Sequence, residues 1–246
     1  MSKNIAIVNQ KGGTGKTLTT LNLSHGLTLQ GKKVLMIDLD PQGSLTSILL
    51  RQPINKSVID LMRGKEEPED YIFKLQDKKN LFLLPSDSRL AKIEKEQQKG
   101  REFLLKRAMI RLKGFDFIIV DCGPSLGLLT IVALVFADHI IIPVKTDYLS
   151  LQGLVKINDL IEIVKESLNP DLKNLGYLPC QYDKRRVLDR EVFSLLKKRF
   201  KNVLNPIRQN ISLGESPSWG QSIFEYKEDS KGAEDYQGLV KAILRG

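Results

Sequence analysis

Residues 10–17 read QKGGTGKT, and they join two segments of different periodicity. Before them, Asn4-Ile5-Ala6-Ile7-Val8-Asn9 is a short, apolar, β-branched run that reads as a buried strand. After them, Leu18, Leu21, Leu23, Leu27 and Leu29 recur at roughly helical spacing, and Gly31 can end the helix. The glycines therefore lie between a strand and a helix N-terminus. Backbone N–H groups and the helix dipole hold phosphates at such a junction.

The usual phosphate loop is G-x-x-x-x-G-K-[ST]. Counting back from Gly15-Lys16-Thr17, the first glycine falls on Gln10, and a second lysine, Lys11, precedes Gly12, Gly13 and Thr14. Lys16 is expected to pair with the β- and γ-phosphates of a nucleotide, and the Thr17 hydroxyl to ligate Mg²⁺. The spacing leaves the purpose of Lys11 open.

Two further strands end in acids. Lys33-Val34-Leu35-Met36-Ile37 runs into Asp38-Leu39-Asp40-Pro41-Gln42-Gly43. The i, i+2 spacing points both carboxylates to one side of an extended chain, at the strand end where open α/β sheets bind ligands. Phe115-Asp116-Phe117-Ile118-Ile119-Val120 ends in Asp121, the Walker B arrangement, whose carboxylate reaches Mg²⁺ directly or through water. Residues 81–85, 138–144 and 175–179 read as three more strands, with His139 a strand residue and not a ligand. Strands alternating with helices predict an α/β fold: a mostly parallel sheet with helices on both faces.

A chain of 246 residues with no Pro/Gly/Ser-rich linker and no internal repeat reads as one domain over 1–246. No segment approaches the roughly 18 apolar residues of a membrane helix, and the N-terminus enters a strand at once, so a cytoplasmic, signal-free protein is expected. Cys122 and Cys180 form no metal or disulfide pattern. The net charge of +9 suggests a polyanionic partner, and it is concentrated. Residues 184–201 carry eight Lys/Arg against two acids, and 89–113 carry nine against three. At 100° per residue Arg186, Arg190, Lys197 and Lys201 form a stripe opposite Leu188, Val192 and Leu195. Such a stripe suits a phosphate backbone and carries no base code.

Lys11-Gly-Gly-Thr-Gly-Lys16-Thr17, Asp38-Leu-Asp40-Pro-Gln-Gly and Asp121-Cys-Gly-Pro-Ser-Leu together resemble the deviant Walker ATPases, and within them the ParA/Soj partition ATPases of the short plasmid type. The resemblance covers nearly the whole chain. It implies that Lys11 is the signature lysine, reaching across a homodimer to the nucleotide of the other subunit, that Asp40 positions the attacking water, that Asp38 lies in the same switch beside the metal, and that Asp121 is the Walker B acid. It implies ATP and Mg²⁺ as cofactors. It also implies an ATP-dependent dimer that binds double-stranded DNA without sequence preference, associates with the nucleoid, and is released when a ParB-type centromere-binding protein stimulates hydrolysis.

Three single positions and one short stretch depart from the family pattern. Leu18 replaces the second of two tandem threonines, Gly123 a proline, and Ser212 an arginine linked to DNA binding. Ile207-Arg208-Gln209-Asn210 stands where Ile-Pro-Arg-Asn is common, which removes or displaces a wall of the base pocket. Three rival readings share parts of the sequence. A MinD-like membrane switch needs a C-terminal amphipathic anchor, and residues 236–246 hold few large apolar anchors. A nitrogenase-reductase-like protein needs cluster cysteines. A non-catalytic DNA-binding module would not need Lys16, Asp40 and Asp121.

Overall fold

A computed structural model of the chain describes residues 2–64, 67–95, 97 and 99–245. The apolar runs are too short for helices and are apolar on both faces, so they pair as interior strands of a sheet covered twice. The strands are β1 (Lys3–Ile7), β2 (Val34–Leu39), β3 (Phe73–Lys74), β4 (Leu81–Leu84), β5 (Phe117–Cys122), β6 (His139–Lys145), β7 (Lys173–Tyr182) and β8 (Ile207–Arg208). They form one sheet in the order β3-β4-β2-β5-β1-β6-β7-β8. Every neighbouring pair is parallel except β3 with β4. The expected architecture is the observed one. The two-residue edge strands β3 and β8 are additions.

The helices are α1 (Lys16–Leu29), α2 (Ser44–Leu49), α3 (Val58–Arg63), α4 (Leu104–Ala108), α5 (Leu128–Phe136), α6 (Tyr148–Ser167), α7 (Val187–Arg199), α8 (Ile211–Glu215), α9 (Ile223–Tyr226) and α10 (Lys231–Arg245). Alternation along β1 shows how the layers divide. Ala6 and Val8 pack into the core under α3 to α6, while Ile5 and Ile7 pack into the core under α1 and α10. Gly26 sets the approach of the second pair. A Cβ built there would lie 2.6 Å from Val240 Cγ2, so no larger residue fits between α1 and α10 without a shift.

A buried polar knot fastens α9 to the outer end of α1. Lys78 Nζ donates to Glu225 Oε1 at 2.6 Å, and the Ser222 N–H donates to Glu225 Oε2 at 2.8 Å. His25 Nδ1 lies 2.5 Å from Ser222 Oγ and 3.4 Å from Glu225 Oε2. Burial acts to raise the Glu225 pKa, but the bonds from His25, Lys78 and Ser222 outweigh it and hold the carboxyl at about 2, against an ordinary 4.5. A depressed folded-state pKa means that this stability is full above pH 4.5 and is lost as the pH falls towards 2. Glu225→Gln should remove about 2 kcal/mol at neutral pH, the worth of a charged hydrogen bond. That lowers Tm by roughly 4–8 °C for a domain of this size. The gap between variant and wild type should close as the pH drops from 5 to 3. Melting curves across that range check it, and a gap independent of pH would contradict the ionic origin.

Candidate functional site

Parallel register brings the acids together. β2 and β5 set Asp38 beside Asp121, and β1 and β5 set Ile7 beside Asp121. The chain leaving each of these strands then meets the others at one edge of the sheet, the carboxyl edge where ligands bind in open α/β sheets. The phosphate loop follows β1 there. Gly13 and Gly15 take left-handed φ values of 70° and 98°, which glycine adopts without strain. Gly15 is the N-cap of α1, and no side chain caps the helix, so its first N–H groups face a ligand site.

The two lysines of the loop point differently. Lys16 is buried, and its Nζ donates back across the loop to the Lys11 carbonyl at 3.1 Å. Burial lowers its pKa, and the negative charge of Asp121 and Asp40 works the other way. Lys11 stands on the rim. Its Nζ lies 2.8 Å from both Asp147 oxygens and 3.0 Å from Ser150 Oγ. Asp147 is also the N-cap of α6, accepting from the Ser150 N–H at 2.8 Å. Burial acts to raise the Asp147 pKa, but Lys11 and Ser150 hold it below the usual carboxylate range. Gln10, where the usual motif has glycine, donates to the Gly153 carbonyl at 2.9 Å and ties the same loop to α6.

Asp121 is wholly buried. Thr20 Oγ1 donates to its Oδ1 at 3.3 Å, and among the described residues Oδ2 has no hydrogen-bond partner. Burial and the nearby Asp38 raise its pKa, while Thr17 and Lys16 oppose them. Burial likewise raises the Asp38 pKa, against the bonds from Thr46. No cluster of three acids, histidines or cysteines forms a ready-made cage among the described residues. An orphaned carboxylate oxygen beside a second carboxylate and the Thr17 hydroxyl fits Mg²⁺, which takes one or two carboxylates and completes its shell with water and phosphate oxygens. Asp40 follows on the same edge. Its Oδ1 accepts from the Gln42 N–H at 2.9 Å, and a Cβ on Gly123 would lie 3.3 Å from its carboxyl. The glycine found in place of a proline thus lets Asp40 lie close against the chain after β5.

A cavity of about 210 Å³ opens beside Gly15 and Leu18, walled by Cys180, Gln181, Gln209 and Tyr236. Gln181 has a left-handed φ of 58°, and its side chain donates to the Gly13 carbonyl at 3.0 Å, joining the wall to the loop. Arg208 turns away to pair with Asp235 at 2.6 Å and Glu234 at 2.5 Å. Both cysteines are buried and free, and burial pushes the Cys180 thiol up to about 12.

The basic stripe is only partly helical. α7 spans Val187–Arg199, so Arg186 caps it and Lys201 lies beyond its end. The buried face is Asp189, Val192 and Leu196, while Leu188 and Leu195, placed opposite the stripe, are about half exposed. Asp189 turns the helix this way because its carboxylate accepts from the Asp183 N–H at 2.7 Å. Arg186, Arg190, Lys197 and Lys201 are all exposed. Arg190 Nη1 donates to the carbonyls of Lys184 and Arg185, and Lys197 Nζ sits 4.3 Å over the Phe193 ring. Glu96 and Gln98, in the second basic segment, lie outside the described residues.

Sequence reasoning gave no role to Asp147, Ser150, Thr46, Ser86 or Gln181. Asp147 carried one local signal, an Asp just before a helix and three residues from Ser150.

Comparison with known proteins agrees with this geometry. The family model described as "AAA domain" matches residues 2–174. The chain is 40% identical to the sporulation initiation inhibitor protein Soj of Bacillus subtilis, over 99% of this chain and 98% of that protein. It is 36% identical to the chromosome partitioning protein ParA of Myxococcus xanthus, over 98% and 87%. A solved structure of cobyrinic acid a,c-diamide synthase from Mycobacterium smegmatis, with bound ADP and magnesium, superposes with a TM-score of 0.86 at 36% identity, covering 100% of this chain and 95% of that one. The cofactors are ATP and Mg²⁺. With the loop, the two lysines and the three acids at one sheet edge, the chain belongs to the ParA/Soj-type family of P-loop partition ATPases.

Proposed function

We propose that this ATPase segregates DNA, a plasmid or a chromosome, by the cycle its family resemblance implies. Two copies close on ATP, the closed pair holds double-stranded DNA without sequence preference, and a ParB-type centromere-binding protein stimulates hydrolysis and frees it. The reaction is ATP plus water to ADP plus phosphate, carried out in the cytoplasm on the nucleoid. The observation that carries the reading is the division of the two lysines. Lys16 faces inward to the acids, whereas Lys11 stands on the rim, paired with Asp147 of its own chain, and in this reading it exchanges that pair for the nucleotide of a neighbouring copy.

In this reading Gly12, Gly13, Thr14 and Gly15 cradle the phosphates with their N–H groups. Lys16 and the partner copy's Lys11 offset the charge that builds on the transferred group. Asp40 orients the attacking water. Thr17 and Asp121 hold the metal, which supplies charge neutralisation when bound, and Asp38 lies behind them, its oxygens engaged by Thr46 and by the Asp40 N–H.

The membrane-switch alternative gains no support from α10. Its apolar face, Ala233, Tyr236, Leu239, Val240 and Ile243, is buried in the core. Among the described residues no helix is long and apolar enough to cross a membrane.

Duplex affinity measured over a salt series, with and without ATP, tests the proposal. Binding should require ATP, be alike for unrelated sequences, and weaken linearly in log–log form. Lys197→Ala should lower the slope by about one unit per protomer contact removed. Lys197 is a cleaner probe than Arg190, which also braces the Lys184–Arg185 turn. Sequence-dependent binding, or binding indifferent to ATP, would overturn the reading.

A further inference from the structure

Asp40 is placed by a closed ring of hydrogen bonds that draws on the chain leaving β4. Asp38 Oδ1 accepts from the Asp40 N–H at 3.1 Å. The Asp40 carbonyl accepts from Ser86 Oγ at 2.8 Å. The Ser86 N–H donates to Thr46 Oγ1 at 2.9 Å. Thr46 Oγ1 closes the ring by donating to Asp38 Oδ2 at 2.7 Å, and the Thr46 N–H adds a second bond to that oxygen at 2.8 Å. Asp38, Thr46 and Ser86 are all buried, so water does not compete for these bonds.

The sheet explains why the ring can form. β4 lies directly beside β2, with Leu84 opposite Ile37. The chain leaving β4 therefore delivers Ser86 beside the segment that leaves β2. Ser86 is anchored from behind as well. The Val58 N–H donates to the Pro85 carbonyl at 2.8 Å, and Ser57 Oγ donates to Asp87 Oδ2 at 2.5 Å. A rigid support thus reaches the main chain of Asp40 on one side, while Gly123 bounds its carboxyl on the other.

We infer that Ser86 and Thr46 are positioning residues for hydrolysis. They touch no nucleotide cradle. They fix where the Asp40 main chain sits, and through it where the Asp40 carboxylate holds the attacking water. The inference rests on the role proposed above for Asp40. Loss of either hydroxyl should lower kcat and leave nucleotide affinity in place, because the phosphate loop belongs to β1 and α1 and, among the described residues, makes no hydrogen bond to the ring.

The test compares wild type, Ser86→Ala, Thr46→Val and Thr46→Ser, with Mg²⁺ and duplex DNA present, measuring kcat and KM for ATP and the affinity for a non-hydrolysable analogue. Ser86→Ala and Thr46→Val should each lower kcat by on the order of 10- to 100-fold, the scale of a misplacement of about 1 Å. Analogue affinity should change less than about twofold. Thr46→Ser, which keeps the hydroxyl, should recover most of the rate. Unchanged kcat in both hydroxyl-free variants overturns the inference. So does a parallel loss of analogue affinity and Tm, or Thr46→Ser as slow as Thr46→Val, since each marks a merely structural role. A wild type that binds the analogue yet hydrolyses no ATP would overturn the hydrolytic reading itself, and is told apart by that control.

Discussion

Lys16→Ala should abolish tight ATP binding, and hydrolysis with it. The ammonium is buried at the first residue of α1, in the field of Asp121 and Asp40. In the proposed complex it bonds the β- and γ-phosphates. Charged hydrogen bonds are each worth about 1.5–3 kcal/mol, so two of them correspond to a loss of affinity of at least about a hundredfold. Removing the cation also leaves Asp121 and Asp38 facing an incoming polyanion with one positive charge fewer. Titration calorimetry with ATP and Mg²⁺ measures the effect, and circular dichroism reports whether the variant is folded. A folded Lys16→Ala protein that binds ATP within a few-fold of wild type would refute the assignment of the loop.

Lys11→Ala and Asp40→Ala should fail in opposite ways. Lys11→Ala keeps the cradle and Lys16, so it should still bind ATP. It loses the contact proposed to cross between copies, so ATP should no longer drive dimerisation. Asp40→Ala keeps every phosphate contact and should bind ATP and remain dimeric, because the water is no longer oriented. Loss of a positioned acid or base lowers rates by typically 100- to 10,000-fold. Light scattering with ATP, before and after a chase with ADP, separates the two. Identical oligomeric behaviour would sink the division of labour.

The parts of this site that could be read from sequence are the ones built from neighbours along the chain. Residues 10–17 carry their own geometry, and the acids at 38, 40 and 121 follow strands whose apolar runs are plain; β2 and β5 begin and end within two residues of the runs read for them. In the ring, the Thr46–Ser86 bond spans 40 residues, and the Lys11–Asp147 pair spans 136. Both depend on which strand lies beside which, and a hydroxyl in a loop gives no periodicity to detect. The edge strands β3 and β8, at two residues each, are too short to show alternation. The buried face of α7 includes polar Asp189, which turns inward to a backbone N–H, a preference no hydrophobic pattern contains.

The helix that carries the phosphate loop is enclosed on nearly every side. Ten of the fourteen residues of α1 are buried, under β1, β2 and β5 on one flank and α9 and α10 on the other. Such an element has no local way to open; it separates from its neighbours only when the core does. A ligand seated on its first turn is therefore felt by the whole core at once. At a concentration of 100 Kd, bound nucleotide adds about 2.7 kcal/mol to the free energy of unfolding. That lowers the fraction of open molecules roughly a hundredfold, and proteases that cut only open chains follow that fraction. Empty and loaded copies thus differ in lifetime as well as in activity, and the pool that survives longest is the pool that holds nucleotide.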